Sequence, residues 1–146
     1  MHYTMNEGST EFLVDGSHKC PAPFTAGSTY DNVAIAGACI DRLNYTSGAV
    51  AIFYSTALTS TKVLQASISI KEADEGEDFG SAIPLLTAES IATASGVGVY
   101  TFPIDLSTYK RYVQFTTTLN LTHTSTDKAD YAVAVIKSGS NTIPTS

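Results

Sequence analysis

The chain has 146 residues and a formal net charge of −6, with 43% apolar and only 15% charged residues. That length suits one domain able to bury a core without disulfides or metal, and the acidic balance with scattered Lys and Arg excludes a binder of phosphate backbones, which neutralises phosphates with clustered cations. About a quarter of the residues are Ser or Thr, so hydroxyls and small neutral groups cover the surface, a composition that favours strands over solvent-facing helices.

Residues 1–27 lack sustained periodicity and carry Gly8, Gly16, Pro21, Pro23 and Gly27; they read as an extended N-terminal arm. Its one apolar patch is Phe12, Leu13 and Val14. Such a segment forms little core alone, so the patch either packs back on the domain or docks on a neighbour. The opening MHYTMNEGSTEFLVDG has neither a basic n-region nor an apolar h-region, so no signal peptide is read. No stretch approaches the ~18 apolar residues of a membrane helix. A product of the cytoplasm, with Cys20 and Cys39 as reduced thiols, is expected. The two cysteines lack CxxC spacing and a His placed to complete a zinc site. Asn44-Tyr45-Thr46 and Asn120-Leu121-Thr122 match the glycosylation pattern, but without a secretory signal they read as chance matches.

A domain is expected over 28–139. From Tyr30 to Ile40, Val33, Ile35 and Cys39 alternate with small residues, which predicts a strand. A turn at Thr46-Ser47-Gly48 leads into residues 49–55, AVAIFYS, apolar on both faces and therefore central in a sheet. Between Lys62 and Lys71 the alternation is clean, with Leu64, Ala66, Ile68 and Ile70 on one face and Gln65, Ser67 and Ser69 on the other. The run 71–81 then gathers Glu72, Asp74, Glu75, Glu77 and Asp78. Clustered carboxylates suit a hard cation, yet the spacing lacks the order of a helix-loop-helix calcium loop. An exposed acidic turn anchored by Phe79 is the plainer reading.

Ile83, Leu85 and Thr87 predict a short strand starting near Pro84, at an edge or strand end where a missing donor is tolerated. Residues 87–96 read as one helical turn or a Ser- and Thr-rich loop. Gly98 to Ile104 is a further strand. The stretch from Asp105 to Leu121 is the organising one: Val113, Phe115, Thr117, Leu119 and Leu121 alternate with Tyr112, Gln114, Thr116, Thr118 and Asn120, the period of a half-buried strand. A polar turn over 122–130 precedes a last strand, YAVAVIKSG, and 140–146 reads as a flexible tail. Seven or eight short strands without a strong helix indicate an all-β sandwich, jelly-roll or immunoglobulin-like.

Chemistry is thin. His2 and His18 lie in the arm and His123 in a polar turn, no Ser sits in a G-x-S-x-G elbow, and Gly96-Val97-Gly98 lacks the residues of a phosphate cradle. The expectation is no enzyme, no cofactor and no metal. Sugar binding is the rival from another class, since β-sandwiches use exposed aromatics as platforms. The chain has no Trp, and structural tyrosines account for most of Tyr30, Tyr45, Tyr54, Tyr100, Tyr109, Tyr112 and Tyr131.

The run from Lys62 to Ile136 resembles the small jelly-roll cement, or decoration, proteins of tailed bacteriophage capsids. Three features carry the resemblance: ISIKEADEGEDFGSAIPL, a strand ending in an acidic Gly-containing turn with a following Phe; a later strand at Lys110-Arg111-Tyr112-Val113-Gln114-Phe115; and the closing strand YAVAVIK. The resemblance implies a jelly-roll β-sandwich made in the host cytoplasm and placed on the virion's capsid surface as a homotrimer. There it would stabilise contacts between major capsid proteins, without catalysis and without nucleic-acid or membrane partners. Phe12, Leu13 and Val14 would be capsid or trimer contacts, and the face bearing Ala132 and Ala134 would meet either a neighbour or the chain's own second sheet. The alternative is a carbohydrate- or host-receptor-binding module of a virion fibre.

Overall fold

The computed structural model describes residues 13–59, 62–76, 78–122 and 126–140. The strands among them are β1 (Leu13–Lys19), β2 (Phe24–Thr25), β3 (Val33–Ala36), β4 (Ile40–Asp41), β5 (Tyr45–Ala57), β6 (Leu64–Ala73), β7 (Ile83–Ala92), β8 (Gly96–Asp105), β9 (Tyr112–Leu121) and β10 (Lys128–Ser140), with a single 3-10 turn at Leu106–Thr108. Sheet A has the order β1-β10-β5-β8, with β2 also on β10; sheet B has the order β3-β9-β6-β7, with β4 also on β9. Every pairing is antiparallel.

The order follows from one long folded-back ribbon. β1 pairs with β10, β3 and β4 with β9, β5 with β8, and β6 with β7, each pair nested inside the last. Rolling that ribbon brings β10 against β5 and β9 against β6, which closes two sheets over a shared core. This is a jelly-roll β-sandwich.

Alternation decides which side chains fill it. β6 buries Leu64, Ala66, Ile68 and Ile70, and β9 buries Val113, Phe115, Thr117, Leu119 and Leu121. From sheet A, Val50 and Ile52 of β5 and Tyr131, Val133 and Val135 of β10 meet them. Each large side chain removed from water here contributes about 1.5–3 kcal/mol.

The segment 1–27 is not a free arm over its described part. β1 joins the edge of sheet A, with Leu13 opposite Lys137 and Val14 opposite Ile136, while Phe12 lies outside the described residues. Cys20 and Phe24 are buried in the core, and the Phe24 ring meets Tyr131 edge-on at 6.3 Å. The sandwich therefore starts well before residue 28, and removing 1–27 would strip a strand from the sheet. At the other end Ser140 still belongs to β10, and residues 141–146 lie outside the described set.

Three local expectations also change. The single strand expected over Tyr30–Ile40 is two short ones, Val33–Ala36 and Ile40–Asp41; between them Gly37 packs closely on β1 while its N–H still donates to Phe115 O of β9 at 2.9 Å and its carbonyl accepts from Gln114 Nε2 at 3.0 Å. The turn expected at 46–48 is already strand, since β5 begins at Tyr45. Residues 87–92 are neither helix nor loop but the second half of β7, an edge strand whose register on β6 slips repeatedly and whose Ala88 has φ +48. The polar turn at 122–130 hides a buried carboxylate: Asp127 is 1% exposed and accepts from both the N–H and the hydroxyl of Thr59 at 2.8 and 2.7 Å. Cys20 and Cys39 are not joined in a disulfide.

Because Phe115 is fully enclosed between the sheets, Phe115→Ala should cost about 3–5 kcal/mol in chemical denaturation. Gln114→Ala, one residue along on the outer face, should cost much less. Equal losses would refute the assigned faces.

Candidate functional site

The two outer faces of the sandwich differ in chemistry. Sheet B shows solvent hydroxyls and amides: Gln65, Ser67 and Ser69 on β6, and Gln114, Thr116, Thr118 and Asn120 on β9. Sheet A does not. Parity on β10 turns Tyr131, Val133 and Val135 inward, so Ala132 and Ala134 face out, away from the second sheet. Across the face, Val99 on β8, Phe53 on β5 and Ala132 on β10 stand in one row, with Thr101, Ala51 and Ala134 in the next.

This face is oily and exposed. Phe53 is 51% exposed, Val99 54% and Val97 85%. Burying Phe53 would have been easy had the ladder slipped by one residue, but that would have turned Val50 and Ile52 to water. β5 carries no charge over its whole length; the charges beside the face are Lys19 of β1, opposite Ala132, and Asp130, in the row of Ser55 and Val97, with Asp105, Lys128 and Lys137 further along β8 and β10. Where the segment Lys19 to Pro23 crosses the sheet end, it walls an open groove of about 780 Å³ whose floor includes Phe53, Gly98, Val99 and Ala132. The close approach of Tyr54 requires Gly98: a Cβ there would lie 2.5 Å from the Tyr54 hydroxyl.

Other candidate groups are already committed to the chain's own structure. In the acidic turn, Glu72 accepts from the Lys110 N–H at 2.9 Å and Asp74 pairs with Lys110 Nζ at 2.8 Å, while Glu77 lies outside the described residues. Among the described residues no group of three His, Cys, Asp or Glu side chains is placed to hold a metal ion. The Arg111 guanidinium binds Asp41 at 2.8 Å, lies 5.0 Å from the Tyr112 ring centre, and through that bond holds the Asp41 carboxyl below its ordinary range. Lys137 covers the Tyr45 ring at 4.9 Å and donates to the Asp41 carbonyl at 3.1 Å. Tyr131 is in the core, its phenol pushed up to about 12 chiefly by burial. Phe53 is thus the one exposed aromatic ring among the described residues.

The structure does not bring the sequence-predicted contact residues to this face as a patch. Leu13 and Val14 are placed by their backbone on the β1 edge, at the far end of β10 from Phe53. What sequence reading missed is Val97 and Val99, whose signal was available: the alternation Val97, Val99, Thr101 against Gly98, Tyr100, Phe102 gives β8 two apolar faces.

No family model and no curated protein matches the chain. Among solved structures it is similar to a chain of infectious bursal disease virus, Gx strain, with 13% identity and a TM-score of 0.47 over 90% of this chain and 34% of that one. It is similar also to a chain of the naturally occurring empty particles of cowpea mosaic virus (8% identity, TM-score 0.36, covering 92% and 90%) and to Eiger TNF from S. frugiperda (10%, 0.35, covering 93% and 98%). The chain spans about a third of the length of the bursal disease virus chain. Likenesses this distant concern fold alone.

Val97→Ser should shift the denaturation free energy by no more than about 0.5 kcal/mol, as at a surface position without special contacts. Ile52→Ala, on the inward face of β5, should cost about 2–5 kcal/mol. A Val97 variant as damaging as the Ile52 one would mean that the outer face is already covered within the folded chain.

Proposed function

We propose that this protein is a structural virion component of the cement type, docking on the outside of an assembled capsid through the outer face of sheet A. The observation that carries the reading is that face: three large apolar side chains, each more than half exposed, on a strongly acidic chain whose central strand β5 is uncharged. Isolated exposed apolar residues need no explanation, but a contiguous row rimmed by polar groups marks an interaction site. Its partner is a protein surface of the same kind, largely apolar, with polar groups to meet Lys19 and Asp130 at the margin of the face. The resemblance of Lys62 to Ile136 to phage cement proteins supplies the class of that partner, a major capsid protein, and the homotrimeric state. Hydroxyls on sheet B leave the opposite face suited to water.

The test is co-sedimentation with mature phage heads stripped of their surface proteins, with light scattering giving the mass in solution. The wild-type protein should be a trimer and pellet with the heads. The double variant Phe53→Asp, Val99→Asp should remain folded and weaken shell binding at least about tenfold, since desolvating a new charge in an apolar interface is strongly unfavourable. Undiminished pelleting by the variant would remove sheet A from the interface. A wild-type monomer that ignores the heads and binds glycans through the groove beside Phe53 would replace the cement reading with the carbohydrate- or receptor-binding one.

A further inference from the structure

His18 is built into the sandwich more closely than a surface histidine needs to be. Between Asp15 and His18 the β1–β10 ladder slips: Asp15 stands opposite Val135 and His18 opposite Val133, so Gly16 and Ser17 share Ala134. This is a β-bulge, the device that re-aims a side chain. Gly16 sits in the left-handed region at φ +59, and a Cβ there would lie 2.6 Å from Ile40 Cδ1. The bulge sets His18 opposite the inward-facing Val133. On the other side Gly37 presses against the ring, where a Cβ would lie 2.7 Å from His18 Nδ1.

The ring bridges the two sheets. Its Nε2 lies 2.8 Å from the Thr117 hydroxyl on β9, and its Nδ1 lies 3.1 Å from the Gly16 carbonyl. A carbonyl only accepts, so Nδ1 carries the proton and donates; Nε2 must then accept from Thr117. Thr117 is 0% exposed, and the buried Tyr131 hydroxyl is beside it. In this arrangement the imidazole is neutral. A second proton, on Nε2, would face the Thr117 proton, force that fully buried hydroxyl to turn round, and place a positive charge against the core with no carboxylate of the described residues beside it.

We propose that His18 is an acid-sensitive latch: neutral, it ties the edge strand β1 across the sandwich to β9; protonated, it lets β1 and the segment up to Thr25 leave sheet A and bares the edge of β10. Among the described residues the elements around the ring offer an imidazolium the Gly16 carbonyl but no carboxylate. β10 contributes Tyr131, the end of β1 contributes Cys20, and β9 and the β3–β4 link contribute Thr117 and Gly37, which do not titrate. Burial lowers the imidazole from its ordinary 6.5, opposed only in part by the Gly16 carbonyl, and no carboxylate is among the causes. The sign follows: the unfolded chain takes up this proton more readily than the folded one. The latch contributes its full stability above the unfolded value of 6.5 and loses it as pH falls from there through the lowered folded value.

Amide hydrogen exchange on the full chain, corrected for intrinsic rates, tests this at about pH 7.5 and about pH 5. Protection in β1 should fall at least about tenfold relative to β6 on acidification, and His18→Gln, neutral at both pH values, should abolish that difference. An NMR titration of wild-type His18 is the second readout, independent of whether the variant folds, and its midpoint should lie below 6.5. A midpoint at or above that value, an equal loss of protection in β1 and β6, or an acid response retained in His18→Gln would each overturn the latch.

Discussion

The molecule depends on the ladder between β5 and β10. It runs without a slip from Tyr45 opposite Ser140 to Ala57 opposite Lys128, and it is the seam where the rolled ribbon closes on itself. Both strands have neighbours on each side, β5 between β10 and β8, and β10 between β5 and the pair β1 and β2. Register is what the ladder fixes. Val50 and Ile52 turn inward with Ala129, Tyr131, Val133 and Val135, while Ala51, Ala132 and Ala134 turn outward. A slip by one residue would exchange a packed valine layer for alanines and put the valines in water, so a large apolar stake holds the seam in a single alignment.

The same alignment creates the difference between the two outer faces. On β6 and β9 the residues left over after filling the core are serine, threonine, glutamine and asparagine, which suit water. Over the middle of β5, β8 and β10 the remainder is chiefly alanine, valine and Phe53, with Thr101 among them and Ser55 and Asp130 beside Val97. A jelly roll can be assembled with either kind of remainder, so the fold itself does not require sheet A to be oily. That surplus is where the chain's role is written, and it is a property of surface chemistry on a scaffold that serves many functions.

Much of this was legible in the residues, though unevenly. β6, β9 and β10 each alternate polar or small residues with mostly large apolar ones over their central stretches, and a period of two admits one interpretation. β7 was cut short because TAESIATASG offers Ser, Thr and Ala in a pattern common to loops, and its pairing to β6 is irregular enough to erase the alternation. The strand at 13–19 was hidden by its own bulge, since Gly16 breaks the period and Pro21 and Pro23 follow closely. AVAIFYS was read correctly as a central strand, but being apolar on both faces does not mean being covered on both. Which face meets the second sheet depends on the parity of β10, a long-range fact absent from any local window. The half-buried place of His18 and the burial of Asp127 belong to the same class: each is polar in a polar-looking stretch, and only the rolled ribbon brings Thr117 to one and Thr59 to the other.

The nested order of the strands has a consequence for how the protein is made. In a ribbon folded back on itself, the innermost hairpin, β6 with β7, can form as soon as it is synthesised, while each outer pair must wait for a later partner. β5 is complete early, yet its neighbour across the seam is the last strand of the sandwich to emerge. Until then Val50 and Ile52 of β5 and its open edge have nothing across the seam to pair with but other chains. Topologies so dominated by distant pairings close in milliseconds to seconds rather than microseconds, so a ribosome-bound intermediate with sheet B formed and sheet A open is the interval in which this chain most needs protection from its neighbours.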